Sequence, residues 1–291
     1  MTSAETAMSK PANRTATLQR PAHAPSGGRL WRPSYGAPLA SIAVAVVVLI
    51  AWQYLPPMLG VPKYIIPRVS DLYLEMIRLW NQENLLKHFM STASMSILGF
   101  VLGGLLGAVF GYALGLLPTW EKVLSPYILA LQIAPKVAFA PLFILWFGYN
   151  AWPKLIVTIL VVFFPILVNV LQAMRIMDRD LVNLARAYNM SRTKIFFKIM
   201  LPFSMPNLLA GLRIGATLAV IGITVGELVG GEIGLGYLIS FGQGQANTAM
   251  VFDAIALLTV IGIAMYWAVT ALESRILHYL PKAAGPPPAK P

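Results

Sequence analysis

Two cations stand inside apolar runs, and they are the first places in this chain where chemistry is concentrated. Lys136 follows Pro135 in LQIAPKVAFAPLFILWFG, and Arg213 stands between two glycines in GLRIG. A charge at membrane depth is costly to keep there, which makes Pro135, Lys136 and Arg213 candidates for a solute pathway or gate. The other readings are a lysine that is paired or snorkels to the interface, and an arginine in a structural ion pair. Pro135 and Pro141 lack a backbone donor, so they leave carbonyls open to a cavity. An ammonium there favours an anionic or polar ligand. Other chemistries lack material. The chain has no cysteine, which excludes disulfides, thiolate nucleophiles and cysteine metal sites. His23, His88 and His278 are far apart, so no catalytic residue, metal site or resident cofactor is expected. The glycine-rich GGEIGLGY has no Lys-Ser or Lys-Thr after it, and no phosphate loop of the G-x-x-x-x-G-K-[ST] kind occurs.

The elements that position these residues are set by composition. The chain is 57% hydrophobic and 11% charged, whereas soluble domains carry about 25% charge. Six apolar runs stand out: Pro38–Leu55, Ser91–Leu117, Pro126–Phe147, Leu155–Met174, Met205–Val229 and Ala249–Leu272. They are too long for strands and of the length a helix needs to cross a bilayer. The expectation is an all-α polytopic membrane protein with six transmembrane helices over residues 37–280, between disordered cytoplasmic tails at 1–36 and 281–291. Fifteen Lys and Arg fall on the side holding both termini and five on the other, which puts N and C termini in the cytoplasm. That asymmetry also accounts for the net charge of +11 without nucleic acid as a partner. Outside, between the first two spans, Ser70 and Asp71 resemble a helix cap. Leu72, Tyr73, Met76, Leu79 and Trp80 recur at helical spacing, as in an interfacial amphipathic helix or a docking surface.

Two further patterns are local. Gly99, Gly103, Gly107, Gly111 and Gly115 repeat every four residues, giving one helix a face without side chains for close packing or for sliding. The loop 175–202 on the cytoplasmic side predicts a short helix, a stop at Asn189, and a second basic helix capped by Ser191 and ending before Pro202.

The stretch around Asp180–Pro202 resembles the EAA loop of bacterial ATP-binding-cassette importer permeases. That loop reads Glu-Ala-Ala, three residues, Gly, nine residues, Ile, any residue, Leu-Pro. Asn183, Leu184 and Ala185 stand at its first three positions, Asn189 at its glycine, and Ile199, Leu201 and Pro202 match its end. The glutamate, the first alanine and the glycine are thus replaced, which reshapes the contact surface. PLFILWFG (Pro141–Gly148), GLRIG (Gly211–Gly215) and GLGYLI (Gly234–Ile239) are similar to the nitrate/sulfonate/taurine-type branch. That branch includes importers of thiamine pyrimidine precursors and of riboflavin. The resemblance covers residues 40–280. It implies a type I importer permease-like fold with a cytoplasmic coupling helix, in a permease that pairs with itself in the bacterial inner membrane. ATP and Mg would be bound by cytoplasmic ATPase subunits, and an external solute-binding protein would deliver the solute. Asn183, Leu184, Ala185, Arg186, Ala187, Asn189 and Ser191 would form the ATPase coupling site. The alternatives are an ion-coupled secondary transporter and a non-transporting assembly subunit. Against the first, the spans hold few acids, with Glu227 and Asp253 near their ends, and there is no internal repeat.

Overall fold

The computed structural model describes residues 36–279. The expected tails lie outside the described residues, except Gly36, which opens the first helix. Among the described residues all regular structure is helical. Helix α1 spans Gly36–Met58, α2 Val69–Gln82 and α3 Leu85–Gly115. A bent pair comes next, α4 (Pro118–Ile133) and α5 (Ala140–Phe147), and then α6 (Ala151–Ile176). Two short helices, α7 (Arg179–Ala187) and α8 (Arg192–Ile195), precede α9 (Leu201–Gly230), α10 (Leu235–Gly244) and α11 (Thr248–Ile276). Contacts divide the chain within α1, between Val48 and Leu49. The described part of the first unit is the N-terminal half of α1. The second unit runs from Leu49 onward and holds all the other helices.

Helices α1, α3, α6, α8 joined to α9, and α11 are each long and apolar enough to cross a membrane. The run Pro126–Phe147 is not the single straight span expected. It is α4, a 3₁₀ turn at Lys136–Phe139 and α5, bent by 76°. Pro135 has no N–H to continue the α4 ladder, and the chain turns there. The bent pair still passes from one end of the bundle to the other. Arg175, near the end of α6, binds Glu121 and Ser125 of α4. Ile144 and Tyr149 lie beside Gly230 at the opposite end, where Lys154 packs on Gly226. The pair therefore supplies a sixth crossing. It runs from the α7 end of the bundle to the α10 end.

The core forms around α6. On one side α3 lays its glycines along it: a Cβ on Gly107 would stand 2.6 Å from the Phe163 carbonyl oxygen, and one on Gly111 2.8 Å from Val170 Cβ. On the other side α9 does the same. A Cβ on Gly222 would stand 2.8 Å from Thr158 Cα, and one on Gly211 3.1 Å from Ile166 Cα. The glycine ladder is thus packed inside this chain. Without a hydrophobic force between helices in lipid, close backbone approach is what small residues contribute. Val157, Val162, Ile166 and Val170 of α6 are fully buried as a result.

Two boundaries differ from expectation. The α2 cap lies at Arg68, whose N–H donates to Asp71, and Ser70 is inside the helix with its N–H donated to Gln53. Leu79 is fully buried while Tyr73 and Trp80 are exposed, so the expected stripe splits between core and surface. The basic helix after Ser191 does not end before Pro202. It runs on as one 39-residue helix from Arg192 to Gly230. A π turn at Phe196–Met200 makes this possible, with the Leu201 N–H donated to the Phe196 carbonyl. The wider turn accommodates Pro202, whose missing N–H would otherwise break the ladder.

Gly107→Leu is expected to destabilise the fold by about 1–3 kcal/mol or more, the range for overpacking, because the obstacle is backbone. Thermal aggregation of detergent-purified protein, followed by size exclusion, reads this. A wild-type profile would mean that α3 and α6 do not touch at Gly107.

Candidate functional site

At the α7 end, a helix–turn–helix is built from local capping and a small apolar cluster. Asp178 opens α7 by accepting the Asp180 N–H at 2.8 Å. Asn189 closes it with φ 55°, and Met190 and Asn189 return their N–H groups to the carbonyls of Ala185 and Arg186 at 3.1 and 2.9 Å. This is the Schellman arrangement, which needs a left-handed residue at the position Asn189 holds. The Ser191 hydroxyl then accepts the Lys194 N–H and starts α8. A small apolar cluster of Met177, Val182, Ala185 and Ile195 locks the turn.

Helix α7 thereby acquires distinct faces. Leu181, Leu184 and Tyr188 are exposed together, at 46%, 56% and 77%. Arg179, Asn183 and Arg186 share the opposite face, by their spacing of four and three, and line a cavity together with Glu121, Lys122 and Arg175. Ala187 is exposed, whereas Ala185 is buried at 5%. The expected contact of Ala185 with another subunit falls on a residue that is buried in this chain. Its methyl packs inside the chain, and a charge placed there would damage the turn itself.

The intramembrane cations have partners. Lys136 Nζ donates to the Gln132 carbonyl at 2.6 Å and reaches the Ala134 carbonyl at 3.5 Å, capping the carbonyls that the Pro135 break strands at the end of α4. The ammonium also lies 4.7 Å from the centre of the Phe164 ring. Pro135 is exposed. Arg213 binds Glu273 of α11 at 2.9 Å, a half-buried ion pair that ties α9 to α11. The structure does not bring Arg213 together with Pro135 and Lys136 by any hydrogen bond or ion pair among the described residues.

At the α10 end lies a buried polar lock that the sequence reading missed. Glu227 of α9 is fully buried. Thr92 donates its hydroxyl to the Glu227 carboxyl at 2.9 Å and accepts the Leu235 N–H at 2.8 Å. Gly236 N–H donates to Glu227 Oε2 at 3.0 Å, and His88 Nδ1 lies 3.1 Å from both the N and the O of Gly234. Gly234 holds φ 134°, and a Cβ there would overlap the Glu227 carboxyl group. The sequence signal for it is an acid at the end of an apolar run, followed by Gly230, Gly231, Gly234 and Gly236.

Over residues 92–278 the chain matches the family described as binding-protein-dependent transport system inner membrane component. The chain belongs to this family. It is 32% identical over 241 residues to the formylaminopyrimidine transport permease protein of Halalkalibacterium halodurans, covering 81% of this chain and 94% of that one. It is 33% identical to the riboflavin transport system permease protein of Chloroflexus aurantiacus, with 85% and 91% covered. A putative aliphatic sulfonates transport permease protein of Bacillus subtilis is 31% identical, with 85% and 90% covered. Among solved structures, an inward-facing form of the MetNI methionine ABC transporter matches with a TM-score of 0.58 at 18% identity, covering 67% of this chain and 97% of that one. The expected type I importer permease-like fold therefore holds, and the protein is a multi-pass membrane permease.

The family match begins at Thr92 and takes in the lock's Glu227 and glycines, so the permease core includes the α10 end as well as the α7 loop. In the permease, Thr92→Val should leave both the Glu227 carboxyl and the Leu235 N–H short of a partner, costing about 1–3 kcal/mol. Thr92→Ser should restore both bonds. A melting temperature unchanged in Thr92→Val would mean that the lock contributes nothing to the fold.

Proposed function

We propose that this permease is the membrane-spanning subunit of an ATP-driven importer, and that α7 is the helix through which a separate cytoplasmic ATPase moves it. The exposed Leu181–Leu184–Tyr188 face carries this reading. An apolar triplet on a two-turn helix facing water is costly unless a partner covers it, and the capped turn behind it joins directly to the Arg192–Gly230 helix. Ala187, Asn189 and Ser191 frame that face, Asn183 and Arg186 lie behind it on the cavity side, and Ala185 supports it from beneath. ATP and Mg belong to the ATPase subunits, and a solute-binding protein outside presents the solute to a pair of permease chains. Helices α4 and α5 expose Leu131, Leu145 and Trp146, a surface suited to a second copy.

The fifteen-to-five distribution of Lys and Arg supports a bacterial inner-membrane protein with the α7 end and both termini in the cytoplasm. The solute is a small polar or anionic molecule, in the range of sulfonates, nitrate, taurine-like compounds or vitamin and pyrimidine precursors. The permeases for formylaminopyrimidine, riboflavin and aliphatic sulfonates support that range. Pro135 and Lys136, at an exposed helix break within a span, are the pathway candidates, while Arg213 serves its ion pair with Glu273.

Leu184→Asp tests the coupling role. The residue is exposed, so the permease should still insert and remain monodisperse, yet ATPase copurification and solute-stimulated ATP hydrolysis should fall at least tenfold. Wild-type values for both would exclude α7 as the transmission element. Reporter fusions at residues 20 and 285 should both read cytoplasm, and an external signal from either would overturn the orientation. Lys136→Met should lower transport in vesicles while assembly survives, and unchanged kinetics would leave Lys136 as a helix cap alone.

A further inference from the structure

The cavity behind α7 holds more positive charge than the ion pairs among the described residues neutralise. It measures about 810 Å³ and is lined by Lys122, Arg175, Arg179 and Arg186, with Glu121 as the acidic residue facing them. Glu121 is taken by Arg175, which also donates to Ser125 at 2.8 Å. Among the described residues, Lys122, Arg179 and Arg186 have no ion-pair partner. The nearby Asp178 lies outside the lining and is occupied at the α7 cap. Asn183 lines the same cavity with an uncharged amide.

The cavity does not stand alone. Ser125 and Arg175 also line a second groove of about 410 Å³ between α4 and α6, whose walls include Ile128, Leu129, Val168 and Leu171. From Ser125 to Gln132 this groove climbs along α4 by about 10 Å at 1.5 Å per residue. A polar chamber with excess positive charge thus adjoins a mainly apolar groove, with Gln132 and Gln172 also in its lining, that rises along α4. Trp120, 59% exposed beside the chamber's Glu121, fits the headgroup level of a membrane.

We infer that this pair of cavities is a site for one anionic phospholipid of the cytoplasmic leaflet, its phosphate among Lys122, Arg179 and Arg186 and one acyl chain in the α4–α6 groove. Guanidinium forks match phosphate oxygens. Basic pockets between membrane helices on the cytoplasmic side hold such headgroups, and anionic lipids are richest there. The inference rests on the proposed orientation, with the α7 end in the cytoplasm. A lipid bound here would touch α4, α6 and α7 together, on the face of α7 opposite its exposed apolar triplet.

Native mass spectrometry of the permease with its ATPase, titrated separately with phosphatidylglycerol, phosphatidylcholine and inorganic phosphate, tests it. One phosphatidylglycerol per permease chain should bind, more tightly than phosphatidylcholine. Lys122→Gln with Arg179→Gln should weaken it about thirtyfold, at the usual contribution of two surface cations to anionic lipid. Asn183→Glu, which places a carboxylate in the chamber without removing a cation, should weaken it too and carries the test if the double variant fails to assemble. Equal affinity for the two lipids, or wild-type binding in Asn183→Glu, would overturn the site. Displacement of phosphatidylglycerol by millimolar phosphate would make it a free-anion site and end the lipid reading. The chain has no cysteine, so Leu129→Cys reports on the groove alone. Crosslinking between two copies through it would mean that a second permease fills the groove. Orientation is tested apart, by labelling Arg179→Cys with an impermeant maleimide in intact cells. Labelling from outside would overturn the orientation while leaving phosphate-group binding in detergent unaffected.

Discussion

The second unit of this permease is built around the backbone-to-backbone contact of α6 with α3 and α9. Lipid tails are as apolar as leucine, so helices in a membrane gain little by hiding apolar surface from their surroundings. What they gain is dispersion, which falls steeply with each half-ångström of separation. Rows of glycine on α3 and α9 remove that separation, and the branched residues of α6 fill the space between the rows. The outward faces of α3 and α9 then need no pattern beyond apolarity, as Leu105, Val109, Ile214 and Ile221 illustrate.

A smooth glycine face packs tightly but says little about register along the axis. Directional bonds supply that at both ends. Tyr112 and Ser204 join α3 to α9 through their hydroxyls at 2.8 Å toward the α7 end, and Arg213 with Glu273 joins α9 to α11. At the α10 end, Thr92 and Glu227 join the same α3 and α9 and hold the Gly234–Gly236 backbone as well. Sliding by one residue would break both sets at once. The sliding interface that an all-glycine face permits in principle is thus opposed by polar groups that have no water to fall back on.

Much of this is legible in the sequence because it is local or periodic. The glycine ladder, the apolar lengths and the Asn189–Ser191 turn each depend on a few neighbouring residues, and the structure has them where the spacing puts them. Long-range pairing is not legible. Nothing near Arg213 in sequence announces Glu273, and Thr92 meets Glu227, and His88 meets Gly234, across more than 130 residues. Length alone makes Pro126–Phe147 one span, because length cannot register a bend that two prolines and a capping lysine create. Pro202 misleads in the other direction: a π turn absorbs its missing N–H, so the helix continues. For α7, the motif pattern locates the element but not its faces. Burial of Ala185, set by Met190 and Ile195 after the turn, decides which residues are left for a partner.

The continuity of Arg192–Gly230 decides how a force on α7 would spread. At 1.5 Å per residue this helix is about 58 Å long, and it connects the capped turn at one end to Glu227 at the other. Its soft point is the π turn at Phe196–Met200, where hydrogen bonding is widest and Tyr112 packs edge-on against Phe196. Beyond that turn α9 is held on α6 by backbone contact and on α3 by hydroxyl and carboxyl bonds. It cannot move alone. Under the proposed coupling, a displacement of α7 would reach α3, α6 and α9 as one body, and the elements left to move against it would be those joined by few or exposed bonds. The bent α4–α5 pair is the clearest of these. Its ties to the other helices are the Arg175 bonds at the α7 end, the Lys136 ammonium over Phe164 of α6 and the side chains beside Gly230, with the break at Pro135 between its two halves.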